Sequence, residues 1–243
     1  MALPRLDKPI IPVVMPSNKK SVSFRPMTRR EEKLLLQAKE SKDPLAWVDA
    51  VRQVVTNCAV DTIDVDAMAS FDMEYAFVKI RAASIGSRET LSYRDAADGK
   101  LYDVEVNLDE VTVVFPPSVT DGVITVADGA KMKMKWPSAL AWGDPEVVRA
   151  QDPEDALDAL IAYCIERIWV GEETYDVASS PREEVLNFIE SLDVTAWHGI
   201  REWATQVPHL SYWVEWENSL GDKRRVELRT LTDFFTFSST DET

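Results

Sequence analysis

Carboxylates are the first residues in this chain that could do chemistry. Asp61, Asp64 and Asp66 lie close together, and Asp72 and Glu74 follow. Oxygen ligands at that density could hold a divalent cation, and a carboxyl pair could work as acid and base. Either use needs further His, Asp or Glu converging from elsewhere in the fold. The same residues also have a structural reading. Asp61 and Asp64 enter a helix, where Asp commonly makes turns and caps. Asp72 and Glu74 fall in that helix's first turn, where negative charge offsets the dipole. A metal-dependent enzyme built on the Asp61–Glu74 carboxylates stands as one alternative.

The other reactive types are scarce. His198 and His209 are the two histidines, and neither has zinc-ligand spacing with a cysteine or with the other. Cys58 and Cys164 sit far apart in apolar stretches and read as buried thiols. There is no G-x-S-x-G, no P-loop and no G-x-G-x-x-G. No catalytic residue, metal or cofactor is therefore assigned. The basic groups Lys19-Lys20, Arg29-Arg30 and Lys223-Arg224-Arg225 are small, and the last sits at a hairpin turn, where a solvated turn is favoured over a phosphate site.

Tryptophan is abundant, with eight in the chain. Trp197, Trp203, Trp213 and Trp216 crowd one stretch. Trp213 and Trp216 have opposite parity on a strand, so they face opposite sides of a sheet. One side serves the core, and the other is either covered within the chain or offered to a partner.

The elements that must position these residues follow from pattern and punctuation. Residues 9–25 read as a β-hairpin around Pro16-Ser17-Asn18-Lys19. Thr28-Arg29-Arg30-Glu31 is a capping box that opens a helix through Glu40, and Asp43-Pro44 opens a second, to about Cys58. A third helix covers 70–85 and stops at Gly86. Alternation from Thr90 to Phe115 predicts strands with a hairpin turn at Asp98-Gly99, and further short strands cover 123–127 and 131–136. Asp152-Pro153-Glu154 opens a helix to about Trp169. Ser180-Pro181 and Asp193 cap two more, the last ending before Pro208. Residues 209–229 form a second hairpin that turns near Asn218 to Asp222. Leu231 to Phe237 closes the chain ahead of a polar tail. The fold class is α+β. Its N-terminal module spans 1–136, with hairpin, helices and antiparallel strands. Residues 137–152 form a linker, and 153–243 form a helical module that ends in a hairpin.

Composition sets the class. The chain has 243 residues, 45% hydrophobic and 28% charged, which suits a globular protein with a sizeable core. A net charge of −15 argues against a nucleic-acid backbone or an anionic membrane as partner and permits a basic protein partner. An acidic nucleic-acid mimic is a further alternative. Met1 to Lys8 has no apolar signal-peptide region, and no apolar run is long enough to span a membrane. The expected location is a cytoplasm, or a particle assembled in one. No small-molecule substrate is indicated.

Three stretches carry a family resemblance. One is Met15-Pro16-Ser17 with Val22-Ser23-Phe24-Arg25-Pro26 and Thr28-x-x-Glu31-Glu32-Lys33-x-Leu35-Leu36. The second is Phe71-Asp72-x-Glu74-Tyr75 leading to Lys79-Ile80-Arg81-Ala82-x-Ser84. The third is the C-terminal hairpin followed by Leu231-Thr232-Asp233-Phe234-Phe235. In order and spacing they resemble the baseplate hub subunit and hub-assembly protein family of T4-like phages, across nearly the whole chain. The resemblance implies a structural or chaperone-like role in the central hub of a contractile tail, in the virion or in the host cytoplasm during assembly. It also implies other baseplate hub and tail proteins as partners. It further implies Cys-x-x-Cys pairs at the two hairpin turns of relatives, as in a zinc ribbon. Here those positions read Arg94-Asp95-Ala96-Ala97 and Glu217-Asn218-Ser219-Leu220, without thiolates, so packing by Tyr212 and Trp216 is expected to replace a metal. Candidate interface residues are Arg25, Glu32, Arg81, Trp213, Asp233, Phe234 and Phe235. The Phe pair is either a docking anchor or a core plug.

Overall fold

Short-range signals place most of the elements. The computed structural model describes residues 8–116, 122–127 and 129–235. The leader reading at Met1 to Asp7, the last residues of the closing segment and the polar tail lie outside them. Strands β1 (Ile11–Val14) and β2 (Ser21–Phe24) form the first hairpin. Helix α1 (Arg29–Ser41) starts at the predicted capping box, where the Glu31 carboxylate accepts the Thr28 amide at 2.7 Å. Helix α2 (Pro44–Cys58) starts where Asp43 accepts the Leu45 amide at 3.0 Å. Helix α3 (Ser70–Ile85) ends at Gly86, whose φ of 117° suits a residue without a Cβ.

Strands β3 (Arg88–Arg94) and β4 (Leu101–Asn107) pair around the Asp98-Gly99 turn. After them come β5 (Thr112–Val114), β6 (Val123–Ala127) and β7 (Ala130–Met134). Within 137–152 lie two short helices, α4 (Ala139–Trp142) and α5 (Pro145–Val148). The Ser70 and Ala139 amides donate to Pro137 and Met68 carbonyls at 2.9 and 2.8 Å, which ties this segment to the start of α3.

The next element departs from the sequence reading. Helix α6 (Pro153–Cys164) stops five residues short of the expected Trp169, and β8 (Ile165–Val170) follows without a loop. Ile165 and Ile168 are buried. Their i, i+3 spacing is compatible with a helix, but the β-branched Ile-x-x-Ile-Trp-Val run instead fills a central strand between β7 and the unforeseen β9 (Glu173–Asp176). The Cys164 carbonyl accepts the Lys135 amide at 2.7 Å, which joins the end of α6 to the sheet. Helix α7 (Arg182–Glu190) has Pro181 at its cap and no side-chain cap. Ser180 instead ends the preceding turn, its amide donating to the Val177 carbonyl at 3.0 Å. Helix α8 (Val194–Thr205) is capped by Asp193 as expected. Strands β10 (His209–Glu217) and β11 (Lys223–Leu228) form the second hairpin, and α9 (Leu231–Phe234) follows.

The class is α+β, with antiparallel sheets throughout the described residues. Two hydrophobic cores form among the described residues. The first gathers Phe24, Val54, Phe77, Ile80, Val106 and Leu108, and the chain returns to add Leu210, Val214, Leu228, Leu231 and Phe234. The return is pinned by β5, which pairs with β10. The second core lies under the β6-β7-β8-β9 sheet and buries Met132, Ile161, Cys164, Ile168 and Ile200. An aromatic run links α3 to the second core. Phe71 packs edge-on to Trp136 at 6.3 Å, and Trp136 stacks on Trp203 at 5.6 Å. The division at 137–152 is a proposal: strands β6 and β7 before it pair into the sheet of β8, Ala139 within it belongs to the first core, and the C-terminal hairpin lies on that first core.

Candidate protein-interaction site

Helix α9 is the short element around which the candidate interface is arranged. Its capping box, in which Asp233 accepts the Arg229 and Thr230 amides at 2.8 and 2.9 Å, fixes where its aromatic residues point. Phe234 goes into the first core and is 1% exposed. Phe235 stays partly exposed and packs edge-on to Phe77 at 5.6 Å. On this side lies a groove of about 510 Å³ between α1, α3, β3 and α9. Glu32, Arg81, Phe234 and Phe235 all line it. These residues come from widely separated stretches, and the fold brings them to one surface.

The groove is apolar at its rim and charged in balance along its walls. Leu36 and Ile85 line it and are 45% and 62% exposed. Glu32 accepts a hydrogen bond from Arg29 at 2.8 Å, and Arg81 forms an ion pair with Glu89. Sequence reasoning did not single out Leu36 or Ile85. A signal existed in the Leu34-Leu35-Leu36 run, because three successive leucines cannot all face one side of a helix.

Arg25, Trp213 and Asp233 do not line this groove. Arg25 acts inside the chain. Its guanidinium donates to the Asn57 carbonyl at 2.7 Å and to the buried Glu31 at 3.2 Å, joining β2, α1 and α2. Burial alone would push the Glu31 carboxyl up, but hydrogen bonds from Arg25 and Thr28 outweigh it and bring it down to about 2. Trp213 is on the outer face of β10, 46% exposed, with the Arg225 guanidinium 4.0 Å over its ring. Trp216 takes the inner face and stacks on Tyr93 at 5.3 Å. Asp233 faces the opposite side of α9, into a second cavity of about 630 Å³. Trp47 lines both cavities.

Of the carboxylates weighed as a catalytic cluster, the four aspartates have separate partners. Asp61 accepts the Ser23 amide at 2.7 Å, and Asp64 accepts the Asp66 and Ala67 amides at 3.1 and 3.2 Å. Asp66 pairs with Arg52. Asp72 is buried and takes both the amide and the hydroxyl of Ser17, which holds the first hairpin to α3. Burial raises its carboxyl, an effect those two bonds partly offset. Glu74 turns into the second cavity. Among the described residues no group of three or more His, Cys, Asp and Glu is placed to hold a metal ion. Both cysteine thiols are buried and pushed up by that burial, Cys58 to about 11 and Cys164 to about 12.

The two thiol-free turns face each other. Arg224 donates to Asp95 at 2.8 Å, and the Ser219 amide and hydroxyl donate to Asp98 at 3.1 and 2.8 Å. Tyr102 also donates to Asp98. Hydrogen bonds from Arg224 to Asp95 and from Tyr102 to Asp98 hold both carboxyls below their ordinary range. The expected aromatic packing is present: Trp216 lies on Tyr93, and the Tyr212 hydroxyl accepts the Asn107 amide at 3.2 Å. A polar latch between the turns accompanies it.

No curated protein and no solved structure matches the chain. The family model described as T4 bacteriophage base plate protein matches residues 8–236, spanning every element from β1 to α9. The chain belongs to the T4 bacteriophage base plate protein family.

Proposed function

We propose that the chain is a structural subunit or assembly chaperone of the central baseplate hub of a contractile phage tail, and that it docks other hub proteins at the groove between α1, α3, β3 and α9. Membership of a baseplate family supplies the setting. The observation that carries the reading is the convergence of Glu32, Arg81, Leu36, Ile85 and Phe235 on one groove with an exposed apolar rim. A rim of exposed large aliphatic residues around paired charges suits a protein interface better than a substrate site.

Co-expression with the other hub proteins of its phage, followed by pull-down, tests the hub assignment, and recovery of no complex overturns it. Leu36→Asp and Ile85→Asp test the groove. A complex that withstands both substitutions overturns the groove as the docking surface. Mass spectrometry of purified virions then distinguishes a resident subunit from a chaperone that leaves.

A further inference from the structure

The second cavity, on the far side of α9, holds a carboxylate that the fold does not use. Glu74 projects from α3 into it and has no hydrogen-bond or ion-pair partner among the described residues. The walls are largely apolar and include Trp47, Val51, Met73, Trp142 and Leu231. Trp142 is 42% exposed at this cavity. Three further ionisable groups face the space. Asp233 is committed to capping α9. Arg229 lies 3.2 Å from Nδ1 of His209 and forms no ion pair with Glu74. The lining residues of α2 and α4, and those at the end of α8, bring no ionisable side chain.

An unpaired carboxylate in an apolar space is costly unless a cation joins it. A cavity with aromatic walls and an acid inside fits one shape of occupant, a long aliphatic stem with a cationic tip. We propose that this cavity receives a lysine or arginine side chain of a partner protein, with the stem against Trp47 and Trp142 and the cation on Glu74. The chain's net charge of −15 is the matching long-range field for a basic partner. The proposal depends on the baseplate reading only for the expectation that the cation arrives on a protein.

Burial, reinforced by Asp233, pushes the Glu74 carboxyl up to about 8. Glu74 therefore gives up its proton at a higher pH than an ordinary glutamate, and an arriving cation favours the charged form. Binding should tighten as pH rises toward about 8 and level off above it.

The test is an NMR titration of the ¹⁵N-labelled full chain with N-acetyl-lysine methylamide, and with the uncharged N-acetyl-norleucine methylamide as control. The indole N–H signals of Trp47 and Trp142 are the readout. The lysine compound should shift both signals, the norleucine compound at least about fivefold less, and the lysine response should strengthen from pH 6 to pH 8 by up to about tenfold per unit. Glu74→Gln should abolish the preference for lysine while leaving the melting temperature undiminished, because the carboxylate has no partner to lose. Four outcomes each overturn the proposal: no shift with lysine, equal shifts with norleucine, a lysine response that survives Glu74→Gln, or the same response at pH 6 and pH 9. None of these touches the hub pull-down, so the two readings fail separately.

Discussion

The two cavities that share Trp47 on either side of α9 differ in how they treat charge. In the groove toward α1, Arg81 and Glu89 pair with each other and Glu32 pairs with Arg29. In the cavity toward β10, Glu74 pairs with nothing among the described residues. A surface whose charges are already paired recognises a partner by shape and apolar contact. A surface with an unmatched carboxylate against apolar walls selects by charge.

The comparison can be broken at several points. The largest effect is expected from Phe234→Ala, which removes the aromatic residue that seats α9 in the first core. A loss of about 3–5 kcal/mol of unfolding free energy is expected by chemical denaturation, and with it loss of both cavities. Retention of hub binding by a destabilised Phe234→Ala chain would separate the core role of this residue from docking.

Glu74→Gln comes next and should act in the opposite direction. The folded chain holds the Glu74 proton up to about pH 8, whereas an unfolded chain releases it near the ordinary 4.5. The unfolded state is thus increasingly favoured as pH rises from about 4.5 to about 8, and the penalty stays at its full size above that window. Glutamine carries no such penalty. Its advantage in melting temperature should be absent at pH 4, grow to about pH 8 and reach on the order of several degrees. A pH-independent difference would show that Glu74 is not held neutral.

Arg224→Ala tests the latch between the turns. Asp95 and Asp98 have lowered carboxyl values in the folded chain, so their contribution is present above the ordinary 3.8 and fades as pH falls through the folded values. Without Arg224, Asp95 titrates higher, and acid unfolding followed by circular dichroism should begin at a higher pH than in the parent chain. The smallest effect on stability, within about 0.5 kcal/mol, is expected for Leu36→Asp and Ile85→Asp, because both side chains are already largely exposed. On the proposed docking role, these two should nonetheless weaken binding to a baseplate partner.

Local chemistry was legible in the sequence where one or two residues decide an element. The Thr28–Glu31 box, the Asp43-Pro44 and Asp193 caps and the Asp98-Gly99 turn all appear where their side chains predict. The end of α6 was not legible. Apolar residues three apart suit a helix or a buried strand, and only the presence of β7 and β9 on either side decides for Ile165–Val170. At the candidate site, Glu32, Arg81 and Phe235 could be named from sequence, but their meeting in one groove depends on the return of the chain after β11. The partnerless state of Glu74 has no sequence signature, since it is set by what fails to approach it.

That return has a consequence for timing. Residues 210–234 complete a core whose other members lie between Val13 and Ala139. Contacts this distant along the chain form late in folding, after the loop between them has closed. Both cavities need α9 in place as a wall, so neither exists on a nascent or unravelled chain. Readiness to be incorporated is thereby tied to completed folding, and a growing particle would encounter this protein as a partner only once its synthesis and closure were finished.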